Sequence, residues 1–261
     1  MKLKSTCTAS FALCATATGV LFAATLSAQT YIPAGATIEC HGGTLNAAGT
    51  SMTVDGALTL GAGSLLDLAD FSVGSAGQAQ LDSGHIVLAG NWSNQGAIDA
   101  GSSTVSFVDG GSGASALLGT TEFAALDFTS GTGKHYLFES GQTQTVSTTL
   151  TIQGTQAAPI QIDVTQPGAI AYLNLLAGGS QNIAHVGVSD VHANGQHLAP
   201  ALTNEGGRGN DDGWFGSVIA APVPIPVPAT SLWSLLLLAG LLATGTALRL
   251  RLHGHRRAFL R

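Results

Sequence analysis

Short runs in which apolar residues alternate with small polar residues recur through the middle of the chain. They cover residues 51–54, 57–60, 85–88, 104–107 and 149–152. A period of two places alternate side chains on opposite faces of a β-strand. Gly, Asp-Gly or Asn-Gly signals follow the runs within a few positions, at the spacing of about 8 to 12 residues that is typical of all-β proteins. The pattern predicts an all-β body without a convincing helix.

Two all-β architectures fit such strands: a sandwich or barrel, and a solenoid of stacked coils. Repeated units of strand, Gly-rich turn and strand, without long Greek-key connections, favour a parallel β-solenoid over residues 29–216. The composition agrees, because the chain has 35 glycines and only 9% charged residues. Tight coil corners need small residues, and stacked coils need few charged faces.

The N-terminus has the layout of a secretory signal peptide. Two lysines within the first four residues precede an uncharged apolar run over residues 11–26, and Ala28 precedes a predicted cleavage before Gln29. A short buried helix explains the apolar run but not the leading lysines. We therefore interpret residues 1–28 as a signal peptide, which implies export through the secretion machinery.

A second apolar segment lies near the C-terminus. It follows a Pro-rich linker, residues 217–230, whose alternating prolines are typical of extended chain. Residues 232–248 carry no charge, and a helix of that length spans about 26 Å, slightly less than the hydrocarbon core of a bilayer. Arginines follow, as expected on the cytoplasmic side. We predict a transmembrane helix with an Arg-rich tail over residues 231–261, in preference to a terminal core helix.

The linker and the apolar segment together resemble a bacterial sorting signal. Val227, Pro228, Ser231 and Trp233, followed by a Leu-rich span and an arginine tail, are similar to the IPTL-CTERM tripartite signal, a relative of the PEP-CTERM type. Leu232 stands where that signal has an acidic residue. The resemblance implies a Gram-negative source, transient anchoring in the inner membrane and recognition by a membrane-embedded processing enzyme. The final destination would be the cell surface or the medium.

The body resembles haemagglutinin-like and pectate-lyase-like right-handed β-helices of exported bacterial proteins. Residues 90–96, 101–107 and 141–146 carry the resemblance. Residues 184–191 and 210–215 are similar to a terminal coil and its closing turn. The resemblance implies a right-handed β-helix and says little about a molecular activity.

The charge distribution argues against nucleic-acid binding. Fifteen acidic residues but only two basic ones, Lys134 and Arg208, lie between residues 39 and 212. Binding to phosphates requires clustered Lys and Arg, so no nucleic-acid partner is expected. A pectate-lyase-like enzyme would need a cationic base beside Asp clusters. Because the two basic residues are isolated, both are expected to be solvated rather than catalytic.

Glycoside hydrolysis would instead require two facing carboxylates. The candidate pairs are Asp67 with Asp70 and Asp211 with Asp212. Sequence spacing alone places neither pair across a cleft. We therefore predict no catalytic residue, and a glycan-active hydrolase or lyase on the same scaffold remains the alternative.

Histidines and oxygen-rich turns are the candidate metal ligands. His185, His192 and His197 with Asp190 are plausible zinc ligands. The loop 204–213 is rich in oxygen ligands suited to calcium, without the spacing of an EF-hand. Exposed histidines and an Asx-type turn are the favoured interpretations. No metal and no cofactor is therefore predicted.

Aromatic residues and the one cysteine after residue 28 are assigned to the core. A carbohydrate-stacking surface is the less favoured interpretation for the aromatic rings. Caps against edge-to-edge polymerisation are expected at residues 31–40 and at Trp214-Phe215. Without residues 1–28, Cys40 has no cysteine partner and is expected to be a buried thiol. The rings in question belong to Trp92, Phe123, Phe128, Tyr136, Phe138 and Trp214.

These expectations define one functional class and one alternative. The chain is predicted to be a non-enzymatic, adhesin-like exported protein of the cell surface or extracellular matrix. Its partners would be the secretion and sorting machinery, the membrane through the C-terminal helix, and a glycan or cell-surface ligand. A glycan-active enzyme is the alternative.

Overall fold

The computed structural model describes Thr8–Ala9 and residues 29–216. This part of the chain contains twenty β-strands and no helix. It forms a parallel β-solenoid of about eight coils, which confirms the predicted all-β solenoid architecture. Strands cover the five alternating runs that the sequence identified, except Leu60, which directly follows β5.

The strands are short, apart from four that continue around a corner of the coil. They are β1 (Thr8–Ala9), β2 (Thr30–Ile32), β3 (Thr37–Glu39), β4 (Thr44–Val54), β5 (Ala57–Thr59), β6 (Ser64–Val73), β7 (Gln78–Gln80), β8 (His85–Leu88), β9 (Trp92–Asn94), β10 (Ala97–Asp99), β11 (Thr104–Phe107), β12 (Ala114–Leu118), β13 (Thr121–Thr129), β14 (His135–Phe138), β15 (Thr143–Gln153), β16 (Ile160–Val164), β17 (Ala171–Leu175), β18 (Ser180–Ala184), β19 (Val186–Val188) and β20 (Val191–Ala193). The register of β4, β6 and β13 shifts inside the strand, where the backbone bends between two faces.

Three faces surround the core. Face A consists of β3, β5, β7, β10, the first parts of β13 and β15, then β17 and β20. Face B consists of the first parts of β4 and β6, then β8, β11, the second parts of β13 and β15, and β18. Face C consists of β2, the second parts of β4 and β6, then β9, β12, β14, β16 and β19. The paired strands of each face are parallel, whereas β1 pairs antiparallel with β3. On face A the hydrogen-bonded ladder is interrupted between β10 and β13, which belong to different sheets.

Inward side chains stack in register from one coil to the next. On face C, one such column consists of Met52, Phe71, Trp92, Leu117, Phe138 and Val164. All six are buried. Because each residue occupies the same position in its own coil, a single apolar column excludes water along the axis.

The aromatic rings fill the interior, as predicted. Phe71 and Trp92 stack with ring centroids 4.7 Å apart, and Phe128 and Tyr136 lie 4.3 Å apart. All of the rings that the sequence assigned to the core are at most 5% exposed. Their burial leaves none of these rings to form a sugar-stacking surface.

Inner residues close both ends of the described solenoid. At the C-terminal end, Trp214 bridges to Leu198 and packs beside Phe215. At the N-terminal end, Ile32 and Ile38 are buried. Tyr31 is 46% exposed, so its ring does not act as an inward cap.

Cys40 requires a correction. It is completely buried, as expected, but it is disulfide-bonded rather than a thiol. The expectation of a thiol is therefore wrong for the full chain, which contains two further cysteines, Cys7 and Cys14.

Several predicted segments lie outside the described residues. Within residues 8–9 and 29–216, no helix has the length and apolar character that a membrane span requires. The predicted span over 232–248 and the linker 217–230 lie outside the described residues, as does the signal peptide apart from Thr8–Ala9.

Candidate functional site

A groove follows the corner between faces B and C. A cavity of about 460 Å³ is lined by Gly49 and by the corners of three further coils, residues 67–70, 87–91 and 108–112. A second cavity of about 490 Å³ shares Gly49, Ala69 and Asp70 with the first and extends along face C to Gln29. We call these two adjoining cavities the corner groove.

The groove brings together two carboxylates that the sequence paired. Asp67 and Asp70 both line its first cavity. Asp67 is exposed and has a left-handed backbone (φ 57°), a conformation that Asp tolerates better than most residues. The two aspartates therefore line one cavity, although they belong to a single corner rather than to opposite walls.

Asp70 is held by the coils on either side of it. Its Oδ1 accepts a hydrogen bond from the Asn91 backbone N–H at 2.7 Å, and its Oδ2 accepts one from the Ser51 hydroxyl at 2.8 Å. A Cβ at Gly90 would lie 2.4 Å from Asp70 Oδ1. Glycine at position 90 therefore allows the carboxylate to approach the next coil.

A third carboxylate, Asp109, lines the same cavity and was not considered from the sequence. Its Oδ1 accepts hydrogen bonds from the hydroxyls of Ser130 at 2.6 Å and Thr132 at 3.0 Å. Its Oδ2 accepts one from the Gly131 N–H at 2.8 Å. Desolvation opposes ionisation, but these hydrogen bonds and the positive charge of Lys134 hold the pKa of Asp109 below its usual value.

The expectation that Lys134 is solvated is wrong. Lys134 is only 2% exposed, and its Nζ donates hydrogen bonds to the carbonyl oxygens of Ala89 and of Val108, the latter at 3.0 Å. Burial lowers the pKa of the ammonium group, and the charge of Asp109 partly offsets that effect. Strand alternation carries the signal that was missed, because position 134 has the same parity as the inward residues Tyr136 and Phe138.

Arg208, the other cation between residues 39 and 212, is solvated as predicted. Its side chain is 60% exposed. Nη2 lies 2.9 Å and 2.8 Å from the two carboxylate oxygens of Asp163. An exposed pair of this kind contributes about 1 kcal/mol or less to stability, and neither residue lines the corner groove.

The three candidate zinc histidines contact three different residues between Glu205 and Phe215. His185 Nδ1 lies 3.1 Å from Glu205, and His192 Nε2 lies 3.1 Å from the Asn210 side-chain oxygen. His197 Nε2 contacts the carbonyl oxygen of Phe215. Asp190 accepts a hydrogen bond from Asn210. The described ranges contain no group of three or more His, Cys, Asp or Glu side chains arranged to hold a metal ion.

The loop 204–213 is joined to the last coil by its own polar side chains. Asn204 accepts a hydrogen bond from the Val188 N–H and donates one to the Val188 carbonyl. It also donates to Asp211 Oδ2 at 2.6 Å. Asp212 is exposed at the end of this loop. The second carboxylate pair, Asp211 and Asp212, thus lies in the closing turn and not in the corner groove.

Most predicted processing residues lie beyond the described part of the chain. Ala28, Val227, Pro228, Ser231 and Trp233 belong to this group. Gln29 is described and exposed; its side-chain amide donates to the Thr53 hydroxyl at 2.6 Å.

Comparison with known proteins does not assign the chain to a family. No family model matches the chain, and no curated protein or solved structure matches it either.

Proposed function

We propose that the chain is an exported, non-enzymatic, adhesin-like surface protein whose corner groove binds a glycan. The observation that carries the proposal is the open groove across successive coils, with carboxylates of Asp67, Asp70 and Asp109 along one cavity. Carboxylates and backbone carbonyls accept hydrogen bonds from sugar hydroxyl and ammonium groups. A groove parallel to the coil stack suits an extended polymer.

The negative charge of the body determines which class of glycan the groove would bind. The three groove carboxylates belong to a body with fifteen acidic and two basic residues between positions 39 and 212. Such a surface repels polyanions and attracts polycations at long range. We therefore propose a neutral or amino-sugar glycan as the ligand, in preference to an acidic one.

The test uses the full chain and three soluble polysaccharides: chitosan, amylose and polygalacturonate. We expect binding to chitosan that weakens as salt rises, weaker binding to amylose and none to polygalacturonate. Asp67→Asn should lower the affinity for chitosan by about threefold to fivefold, because an exposed charge pair contributes up to about 1 kcal/mol. Asp212→Asn, which removes an exposed charge outside the groove, is the matched control. Equal effects of both variants, or preferred binding of polygalacturonate, would contradict the proposed site.

The alternative is a glycan-active hydrolase, and one observation favours it. Asp67 and Asp70, the first sequence pair, line one cavity. The same incubations decide between the two functions if released oligosaccharides are measured. Binding without release supports the adhesin-like protein. Release that is abolished in Asp67→Ala would assign the groove to a hydrolase.

We further propose that the body is a right-handed β-helix. The chain would be exported by a signal peptide over residues 1–28 and sorted by the signal around Pro228, Ser231 and Trp233. The support is the sequence layout together with the right-handed preference of parallel crossovers. The outcome would be transient residence in the inner membrane, followed by delivery to the cell surface or the medium.

Intact mass measured in cell fractions tests the sorting proposal. Surface or released protein should begin at Gln29 and end near Pro228. Trp233→Ala should leave unprocessed chain in the inner membrane, whereas Trp214→Phe, outside the signal, should be processed normally. Surface material that retains the residues after 248 would refute the proposal.

A further inference from the structure

Lys134 connects three consecutive coils directly behind the groove. It belongs to the coil of β14, while Ala89 and Val108, whose carbonyl oxygens accept from its Nζ, belong to the two preceding coils. Both of these residues line the first cavity of the groove. The contact therefore acts on the groove lining itself and not on a remote part of the fold.

The turn before Lys134, residues 130–133, is hydrogen-bonded to the same lining. The Lys134 N–H donates to the Ser130 hydroxyl at 3.1 Å, and that hydroxyl donates to Asp109. Asp109 directly follows Val108. The ammonium group and the turn thus hold both sides of the Val108–Asp109 peptide.

Ordinary bonds between coils hold the N–H groups of Ala89 and Val108. The Ala89 N–H donates to the Leu68 carbonyl and the Val108 N–H to the Leu88 carbonyl. The carbonyl oxygens of the same two residues belong to the following peptide groups and accept from the Lys134 ammonium group. The Ala89 carbonyl oxygen has a second donor, the Ser115 hydroxyl at 3.3 Å, whereas the Val108 carbonyl oxygen accepts from Lys134. A carbonyl group that loses its donor recruits water or moves.

We infer that Lys134 is a positioning residue of the corner groove: its buried ammonium fixes the backbone at Ala89 and Val108, and thereby the placement of Asp70 and Asp109 along the cavity. The inference rests on the proposed glycan function for its consequence, but not for its structural content. Lys134 itself does not contact the ligand.

Lys134→Met tests this inference, because Met has a similar unbranched shape without donors. In the full chain, amide hydrogen exchange of residues 87–91 and 108–113 should accelerate by about tenfold or more, as in a local opening. Exchange in β5 and β7 on face A should stay as in the wild type. Lys134→Arg retains donors and should restore slow exchange at the corner.

Binding of a chitosan hexasaccharide provides the second readout. Lys134→Met should lower the affinity by about tenfold through loss of the fixed carboxylates. Arg208→Met is the matched control, since it also removes one cation of the body but leaves the groove intact. Lys134→Arg should bind like the wild type.

The outcomes separate the inference from the proposed function. If the wild type binds no chitosan, the glycan function fails, and hydrogen exchange alone decides the role of Lys134. Unchanged exchange at the corner in Lys134→Met overturns the inference, as does equal acceleration in β5 and β7. If Lys134→Met does not fold, Lys134→Arg decides, because fast exchange confined to its corner would show that donors at this position do not fix the groove.

Discussion

Trp92→Ala is expected to destabilise the chain by about 3 to 5 kcal/mol, the range for truncating a large buried aromatic residue. Trp92 is completely buried in the central coils. Its ring stacks on Phe71 at 4.7 Å and lies 5.2 Å from Phe123. Its Nε1 also donates to the buried Thr121 hydroxyl at 3.0 Å. Truncation therefore removes ring contacts with two coils and leaves a buried hydroxyl without this donor.

Thermal and urea unfolding of the full chain measure this effect. For a domain of this size we expect Tm to fall by about 10 °C. Ser93→Ala, one residue away and on the outward side of β9, should change stability by less than about 0.5 kcal/mol. A loss below about 1 kcal/mol in Trp92→Ala would contradict the view that a stacked aromatic column stabilises the central coils.

Local patterning accounts for most of the fold. Alternation identified the residues of β5, β8 and β11 closely, because each is a short strand between two turn signals. It identified only the second parts of β4 and β15. These strands continue around a corner, where a bend between faces disturbs the period of two. Which strands stack on one another depends on coil length, and no local signal determines that.

The site was less predictable than the fold. Asp67 and Asp70 were recognised as a pair because they are close in sequence. Asp109 was overlooked because it reaches the same cavity only through stacking, two coils later. Lys134 was assigned to solvent from its charge, although its parity with Tyr136 pointed inward. At position 134 the charge of the residue predicts the wrong environment, whereas strand periodicity predicts the inward orientation.

Gly119→Ala is the second change with a large expected effect. Gly119 has a left-handed backbone (φ 76°), and a Cβ there would lie 1.9 Å from the carbonyl oxygen of Asn94 in the preceding coil. Its N–H donates to Glu139 and its carbonyl accepts from Gln144, both at 2.6 Å. The clash is with backbone and cannot be relieved by a side-chain rotation. We expect a loss of about 3 kcal/mol, since overpacking and left-handed strain combine.

Gly141→Ala separates these two contributions. Gly141 has a similar φ of 84°, but nothing lies within 4 Å of the position that a Cβ would take. Only left-handed strain applies there, and the expected loss is about 1 kcal/mol. The difference in free energy of unfolding between the two variants, measured in urea, then reports how closely the coils approach each other at Gly119, in the turn between β12 and β13. Equal losses would mean that the coils can separate there at little cost, which would also weaken the argument that inter-coil contacts, such as those of Lys134, fix the corner groove.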